Sequence, residues 1–81
     1  MPRITYDYPG DDPPTVGDTL ICMSRRTHQP TGTAYLILAA RRVSRKEPVE
    51  GEARMAYIAE RVELEEALKA DRFDTLVWYT R

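Results

Sequence analysis

The fold of this chain depends on its longest apolar stretch, residues 32–43, which reads GTAYLILAARRV. As a strand, the stretch would place three residues on each face, Tyr35, Ile37 and Ala39 on one and Leu36, Leu38 and Ala40 on the other. Hydrophobic periodicity alone also fits a buried helix. The glycine at the start and the aromatic and β-branched residues that follow it favour a strand. We therefore predict that residues 33–43 form the central strand of a sheet.

Shorter patterns on either side predict four more strands and one helix. Residues 3–8 and 54–62 alternate between apolar and polar, whereas residues 19–23 are continuously apolar. Residues 63–70 have apolar side chains at helical spacing and acids in the first turn, which the helix dipole favours. Residues 73–79 close the chain as the last strand. The predicted fold is mainly β (α+β), with five short, mostly antiparallel strands curled into a small barrel or half-barrel and one short helix before the last strand.

Apolar residues on the strands least interrupted by charge are the expected core. They are Leu20, Leu36, Leu38, Ile58 and Trp78. Because successive strand residues point to opposite faces, Trp78 and Tyr79 cannot both be buried. We expect Trp78 inside and Tyr79 at the surface beside Arg81.

The length and the segments of the chain limit its class. Its 81 residues predict a single domain over residues 1–81 with one small core. No apolar run reaches the ~20 residues of a membrane span, and the N-terminal residues lack the apolar region of a secretory signal. We predict a cytoplasmic protein with no membrane partner, in the host cytoplasm if a phage encodes it.

Cys22 is the only cysteine, so the sequence excludes an internal disulfide and a zinc site built from cysteines. One interpretation is a buried, inert thiol. The alternative is that its strand lies at a sheet edge and Cys22 links two copies as a homodimer.

The sequence contains no arrangement of residues that would indicate catalysis. His28 is the only histidine, and no serine, cysteine or carboxylate spacing around it suggests a relay. The four glycines never group into a phosphate-binding loop. We predict that the protein is not an enzyme and that it has no catalytic, cofactor or metal site.

Charge is divided into blocks along the chain. Residues 19–46 carry six positive charges and no acid, whereas residues 1–18 sum to −3 and residues 47–81 to −4, although the whole chain has a net charge of only −1. Segregation of this kind gives a folded surface faces that different partners prefer. Ten of the twelve bases are arginine, whose planar fork pairs with carboxylate or phosphate.

Two candidate binding faces follow from these blocks. The candidate partner-binding residues are Arg25, Arg26, Arg41, Arg42, Arg45, Lys46, Tyr79 and Arg81. The candidate acidic face, which would imitate nucleic acid, contains Asp11, Asp12, Glu63, Glu65 and Glu66. The alternative is that both charge runs simply solvate turns.

Two segments resemble small PUA-like and ASCH-like barrels. Residues 14–21 (PTVGDTLI) are similar to the strand entry of these domains, with its V-G-D turn. Residues 32–37 (GTAYLI) followed by 40–43 (ARRV) resemble their central strand and its basic exit. The resemblance implies an RNA-binding module, in which the basic residues would contact phosphates and Tyr35, Trp78 or Tyr79 would stack on bases.

The chain also resembles the small single-domain proteins of bacteriophages and prophages, including anti-CRISPR proteins, in its size, its blocks of charge and its arginine-rich composition. This resemblance implies a non-enzymatic inhibitor that occupies a surface of a host protein or nucleoprotein complex, such as a CRISPR surveillance complex. We take the inhibitor as the leading hypothesis and the RNA-binding module as the alternative.

Overall fold

A computed structural model describes residues 2–44, 50–70 and 72–78 of the chain. These residues form one five-stranded sheet and one short helix, close to the predicted segments. The elements are β1 (Arg3–Tyr8), β2 (Thr19–Ser24), β3 (Pro30–Arg42), β4 (Ala53–Glu63), α1 (Leu64–Leu68) and β5 (Phe73–Trp78).

The strands are ordered β1-β4-β3-β2-β5, with the long β3–β4 hairpin at the centre. The pairs β1–β4, β4–β3 and β3–β2 are antiparallel, whereas β5 runs parallel to β2. The antiparallel part of the sheet therefore has four strands, where the sequence predicted five mostly antiparallel ones. The reason is the connection between β4 and β5. Because α1 crosses over β3 and β2, β5 runs in the same direction as β4, and it therefore pairs with β2 in parallel.

The sheet curls into a half-barrel, and this part of the predicted fold is confirmed. β1 and β5 stand at opposite ends of the strand order. Even so, the hydroxyl of Tyr6 on β1 donates a hydrogen bond to the backbone carbonyl of Thr75 on β5, at 3.2 Å. A side chain of one edge strand can reach the other edge only if the sheet is strongly curved.

The inner face of the half-barrel holds the main core. Its buried members come from all four antiparallel strands: Ile4, Leu20, Cys22, Ile37, Met55, Tyr57 and Ala59. The segment between β1 and β2, residues 9–18, covers part of this core with Pro14, which is fully buried. Backbone hydrogen bonds of 3.0 Å join Gly17 N–H to the Ile37 carbonyl and Ile37 N–H to the Asp18 carbonyl. The core is thus covered by a segment without regular structure.

Tyr57 fixes this covering segment to the sheet. Its ring is buried, and its hydroxyl donates a 2.6 Å hydrogen bond to the carbonyl of the buried Pro14. In Tyr57→Phe, the Pro14 carbonyl loses this donor without access to water, and we expect a loss of about 1–3 kcal/mol in the free energy of unfolding. Chemical denaturation followed by circular dichroism measures this. Tyr35→Phe, on the half-buried neighbouring tyrosine, is the control and should change stability by less than about 0.5 kcal/mol; equal losses in the two variants would contradict the role of the hydroxyl.

The outer face of the sheet is covered by α1 over β2 and β3. Ala67 of α1 is fully buried against Ile21 and Ala34, with Val62 and Leu64 packed beside them. The Thr19 hydroxyl also donates to the Ala67 carbonyl at 3.4 Å. A helix of five residues is unstable alone. These contacts with the sheet therefore hold α1 in place.

A β-bulge interrupts β3, and the core differs from the predicted one. The pairing of β3 with β4 shifts between Ile37 and Ala39, so Leu38 is an extra residue. Ile37 points inward and is 1% exposed. Leu38 is 36% exposed, and its neighbour Ala39 is exposed as well. Of the expected core residues, Leu20 is buried and Leu36 half-buried, but Leu38 and Ile58 lie on the outer face and their assignment was wrong. The side chain of Trp78 lies outside the described residues.

Candidate functional site

The basic block of the sequence does not form one surface patch. Arg25 and Arg26 lie in the exposed turn between β2 and β3, whereas Arg41 and Arg42 lie at the far end of β3. The strand between them has 13 residues, roughly 40 Å of extended chain. The remaining candidates, Arg45, Lys46, Tyr79 and Arg81, lie outside the described residues.

The two arginines at the end of β3 face opposite sides of the sheet. Arg42 pairs with Met55, an inner-face residue, and Arg41 pairs with Ala56 on the outer face. Both side chains are exposed. Only Arg41 can therefore contribute to a site on the outer face.

The candidate acidic residues belong to two separate segments. Asp11 and Asp12 are in the segment between β1 and β2. Glu63 ends β4, and Glu65 and Glu66 form the first turn of α1, where all three are exposed. Glu63 and Glu66 line a polar depression of about 370 Å³ together with Arg61, so the structure brings these two acids together beside a base.

Arg72 compensates part of the negative charge of the segment between β1 and β2. Its guanidinium contacts the Asp12 carboxylate at 3.2 Å and the Asp18 carboxylate at 3.8 Å. Partial desolvation lowers the pKa of Arg72, but the charges of Asp12 and Asp18 outweigh this effect and the pKa is raised. Asp12 thus has a structural partner, which reduces the negative charge it can present to another molecule.

The outer face carries a shallow trough over β1, β4 and β3, the half of that face that α1 leaves uncovered. Its volume is about 360 Å³. The register places its side chains in two cross-strand rows, because residues paired across strands share a face. These rows are Arg3–Ile58–Ala39 and Thr5–Ala56–Arg41.

The floor of the trough is aliphatic and its two flanks are positive. Ile58 on β4 is 40% exposed and stands beside the small side chains of Ala39 and Ala56. Arg3 flanks this floor on β1 and Arg41 flanks it on β3. Among the residues that the structure describes, neither arginine has a salt bridge or a side-chain hydrogen bond. The two guanidinium groups are thus available to carboxylate or phosphate groups of another molecule.

The next cross-strand row on the outer face, Asp7–Arg54, contains an arginine that is paired within the chain. Arg54 donates to both carboxylate oxygens of Asp7, with distances of 2.9 and 3.3 Å. This hydrogen bonding and the charge of Asp7 raise the pKa of Arg54. Because this cross-strand pair is satisfied within the chain, Arg3 and Arg41 are the outer-face arginines without a salt bridge among the described residues of β1, β4 and β3.

Sequence reasoning identified only part of the trough. Arg41 was a candidate, but Arg3 was not, and Ile58 was assigned to the core. One available signal was the polar face of residues 3–8, which places Arg3 and Thr5 outward together. No sequence pattern showed that this face of β1 would lie near Arg41 of β3, since β1 and β3 are neighbours only in that both pair with β4.

The structure does not place Cys22 at a sheet edge, which was the condition for the proposed cysteine link. β2 lies inside the sheet, between β3 and β5, and Cys22 is 1% exposed in the inner core. A homodimer joined through Cys22 at the edge of β2 would first require β5 to separate from β2.

Protection of the Cys22 thiol is directly measurable. Ellman's reagent should react with the native protein at least a hundredfold more slowly than with the protein in 6 M guanidinium chloride, because the thiol must first be exposed by unfolding. The absorbance of the released thiolate gives both rates. Non-reducing gels after mild oxidation should show only monomer, and rapid labelling or a dimer band in native conditions would contradict the burial of Cys22.

The described residues contain no group of three or more metal-binding side chains from His, Cys, Asp and Glu. His28 lies in the exposed turn between β2 and β3, with a φ of 56°. Within the described ranges, no helix has the length and apolar character to cross a membrane.

No protein-family model matches the chain, and neither the curated proteins nor the solved structures contain a match to it. The resemblances to PUA-like and ASCH-like barrels and to anti-CRISPR proteins therefore remain hypotheses.

Proposed function

We propose that this protein is a non-enzymatic inhibitor of the phage type that binds a host protein or nucleoprotein complex, with a CRISPR surveillance complex as one target of the appropriate kind. The observation that supports this proposal best is the trough on the outer face. An exposed aliphatic floor lies between Arg3 and Arg41, neither of which has a salt bridge within the described residues, and this composition is that of a docking surface.

The size of the trough face suits such a role. A stable protein interface buries about 800 Å² on each partner. The accessible surface of this protein is 6009 Å². One face of the half-barrel is thus large enough for specific docking, and arginine is one of the residues that contribute most to binding energy in interfaces.

The RNA-binding alternative receives less support from the described side chains. Binding of single-stranded RNA depends on aromatic rings that stack on bases. Tyr35 packs against the inner core. Tyr57 lines the trough, but it is 1% exposed and belongs to the inner core, so neither ring offers a face on which a base could stack. The basic residues are also divided between the two ends of β3, so they do not form a continuous path for a phosphate backbone.

Affinity purification from a host lysate tests the proposal. Tagged protein should recover one host complex with fixed stoichiometry, and treatment of the lysate with nuclease should distinguish a protein contact from a bridge through nucleic acid. Recovery of nothing above background from the lysate would exclude this function.

Titration of the recovered complex then distinguishes inhibition by docking from chemical inactivation. Inhibition by docking should reach its maximum at one molecule of this protein per binding site and should reverse on dilution. An enzyme would inactivate many equivalents of the complex per molecule, so substoichiometric, irreversible inhibition would contradict the proposal.

A further inference from the structure

The outer face of the sheet already carries one helix. Over β2 and β3 it already carries α1, whose Ala67 is fully buried against Ile21 and Ala34. The uncovered half continues the same face with further small residues, Ala39 and Ala56. Sheet faces in small domains are usually covered by a helix layer or by another sheet. The trough therefore lies next to α1 in the same layer of the fold.

The bulge in β3 makes this position more apolar. Because of the extra residue, Leu38 and Ala39 are both exposed between two inward-facing neighbours, Ile37 and Ala40. A regular strand would expose only one of the two. Together with Ile58, they present more aliphatic surface than the folding of this chain requires.

The spacing of the two arginines determines how far apart their partner groups must lie on a bound molecule. Arg3 lies opposite Ile58 and Arg41 lies opposite Ala56, on the two sides of β4. From standard strand geometry, they are about 10 Å apart across the strands and about 7 Å apart along them. An α-helix has a diameter of about 10 Å and rises about 7.5 Å over five residues. A helix that lies along β4 would thus bring side chains five positions apart next to the two arginines.

We propose that the trough binds an amphipathic helix of a partner protein, which places a narrow apolar stripe on Ala39, Ala56 and Ile58 and two carboxylates, five positions apart, against Arg3 and Arg41. Carboxylates pair with arginine through two parallel hydrogen bonds. The aliphatic floor favours such a helix over nucleic acid, because bases require aromatic rings for stacking. The inference rests on the proposed function in that it takes the partner to be a protein.

A designed peptide provides the test. The probe is a fluorescein-labelled, alanine- and glutamine-rich helix of 18 residues with glutamate at its positions 7 and 12 and leucine at positions 4, 8, 11 and 15. Binding to the whole protein is measured by fluorescence anisotropy. The double variant Arg3→Glu/Arg41→Glu should weaken binding at least thirtyfold, and a peptide with lysine at positions 7 and 12 should bind this variant better than it binds the wild type.

Arg25→Glu/Arg26→Glu is the matched control, since it makes the same change in net charge in the turn between β2 and β3. It should bind the glutamate peptide as tightly as the wild type. Ala39→Trp tests the floor independently of charge: it should abolish binding while circular dichroism shows an unchanged fold. Failure of the glutamate peptide to bind at millimolar concentration, or equal loss in both charge variants, would overturn the inference.

Other occupants of the trough have distinct outcomes. If light scattering shows a dimer that Arg3→Glu/Arg41→Glu dissociates, the occupant is a second copy and the inference is wrong. It is also wrong if a 12-nucleotide single-stranded RNA displaces the peptide at lower concentration than unlabelled peptide does. If the double variant still recovers the host complex as the wild type does, the trough inference fails while the inhibitor function stands. If the peptide binds the trough but no host complex is recovered, the inhibitor function fails while the trough inference stands.

Discussion

Replacement of Ile37 by alanine is expected to lower the free energy of unfolding by about 2–5 kcal/mol, because it leaves a cavity in the inner core. Ile37 is 1% exposed, and its backbone is hydrogen-bonded to Gly17 and Asp18 of the covering segment. A domain of this size is stable by roughly 4–12 kcal/mol, so the variant loses a large part of its stability. Chemical denaturation monitored by circular dichroism measures the loss.

The neighbouring variant Leu38→Ala is the matched control. It removes a side chain of the same size from the same strand, but Leu38 is 36% exposed on the outer face. We expect a loss of less than about 1 kcal/mol. Equal losses at the two positions would show that Leu38 is a core residue and that its placement on the outer face is wrong.

Ile37 and Leu38 also show which features of the fold can be predicted from the sequence and which cannot. Alternation or continuous runs of apolar residues predicted every strand of the described sheet to within a few residues. It also predicted opposite faces for Ile37 and Leu38, which the structure confirms, but the face with Leu38 was taken as the core, because a period of two does not say which of two apolar faces is buried. The bulge lies in a run of aliphatic residues, and no glycine marks its position.

The direction of the last strand could not be read from the sequence either. Residues 73–78 have a local pattern that indicates a strand, but local patterns contain no information about which strand will be the neighbour. Thr19 pairs with Phe73 across 54 positions, and the parallel direction follows from the path of α1 over the sheet. Long-range pairing of this kind depends on the whole fold.

The candidate site was predicted only in part for the same reason. Sequence proximity suggested a single basic patch, and the length of β3 divides that patch between the two ends of the strand. Conversely, Arg3 and Arg41 are 38 positions apart in the sequence, and they flank one trough because β4 pairs with both of their strands. Adjacency on a sheet is decided by strand order, which the charge pattern does not reveal.

Reversal of the two arginines that end β3, together with the next two bases in the sequence, should have the largest effect on function. Arg41, Arg42, Arg45 and Lys46 changed to glutamate alter the local charge by eight units. We expect the affinity for the host complex to fall at least a hundredfold, because Arg41 loses its pairing with the partner and repulsion replaces it. The melting temperature should change by only a few degrees, since exposed charges contribute little to stability. Isothermal titration calorimetry and thermal denaturation measure the two quantities.

Reversal of Glu63, Glu65 and Glu66 to lysine provides the opposite control, although it also opposes the dipole of α1 and should cost some stability. Arg25→Glu/Arg26→Glu controls for a change in charge at the other end of β3. If only the change at the end of β3 weakens binding, the partner contacts the trough side of the molecule. If the acidic reversal abolishes binding and the basic one does not, the protein acts by presenting negative charge, as an imitation of nucleic acid would. If no reversal changes the affinity, the charged blocks only solvate turns, and docking through Arg41 is excluded.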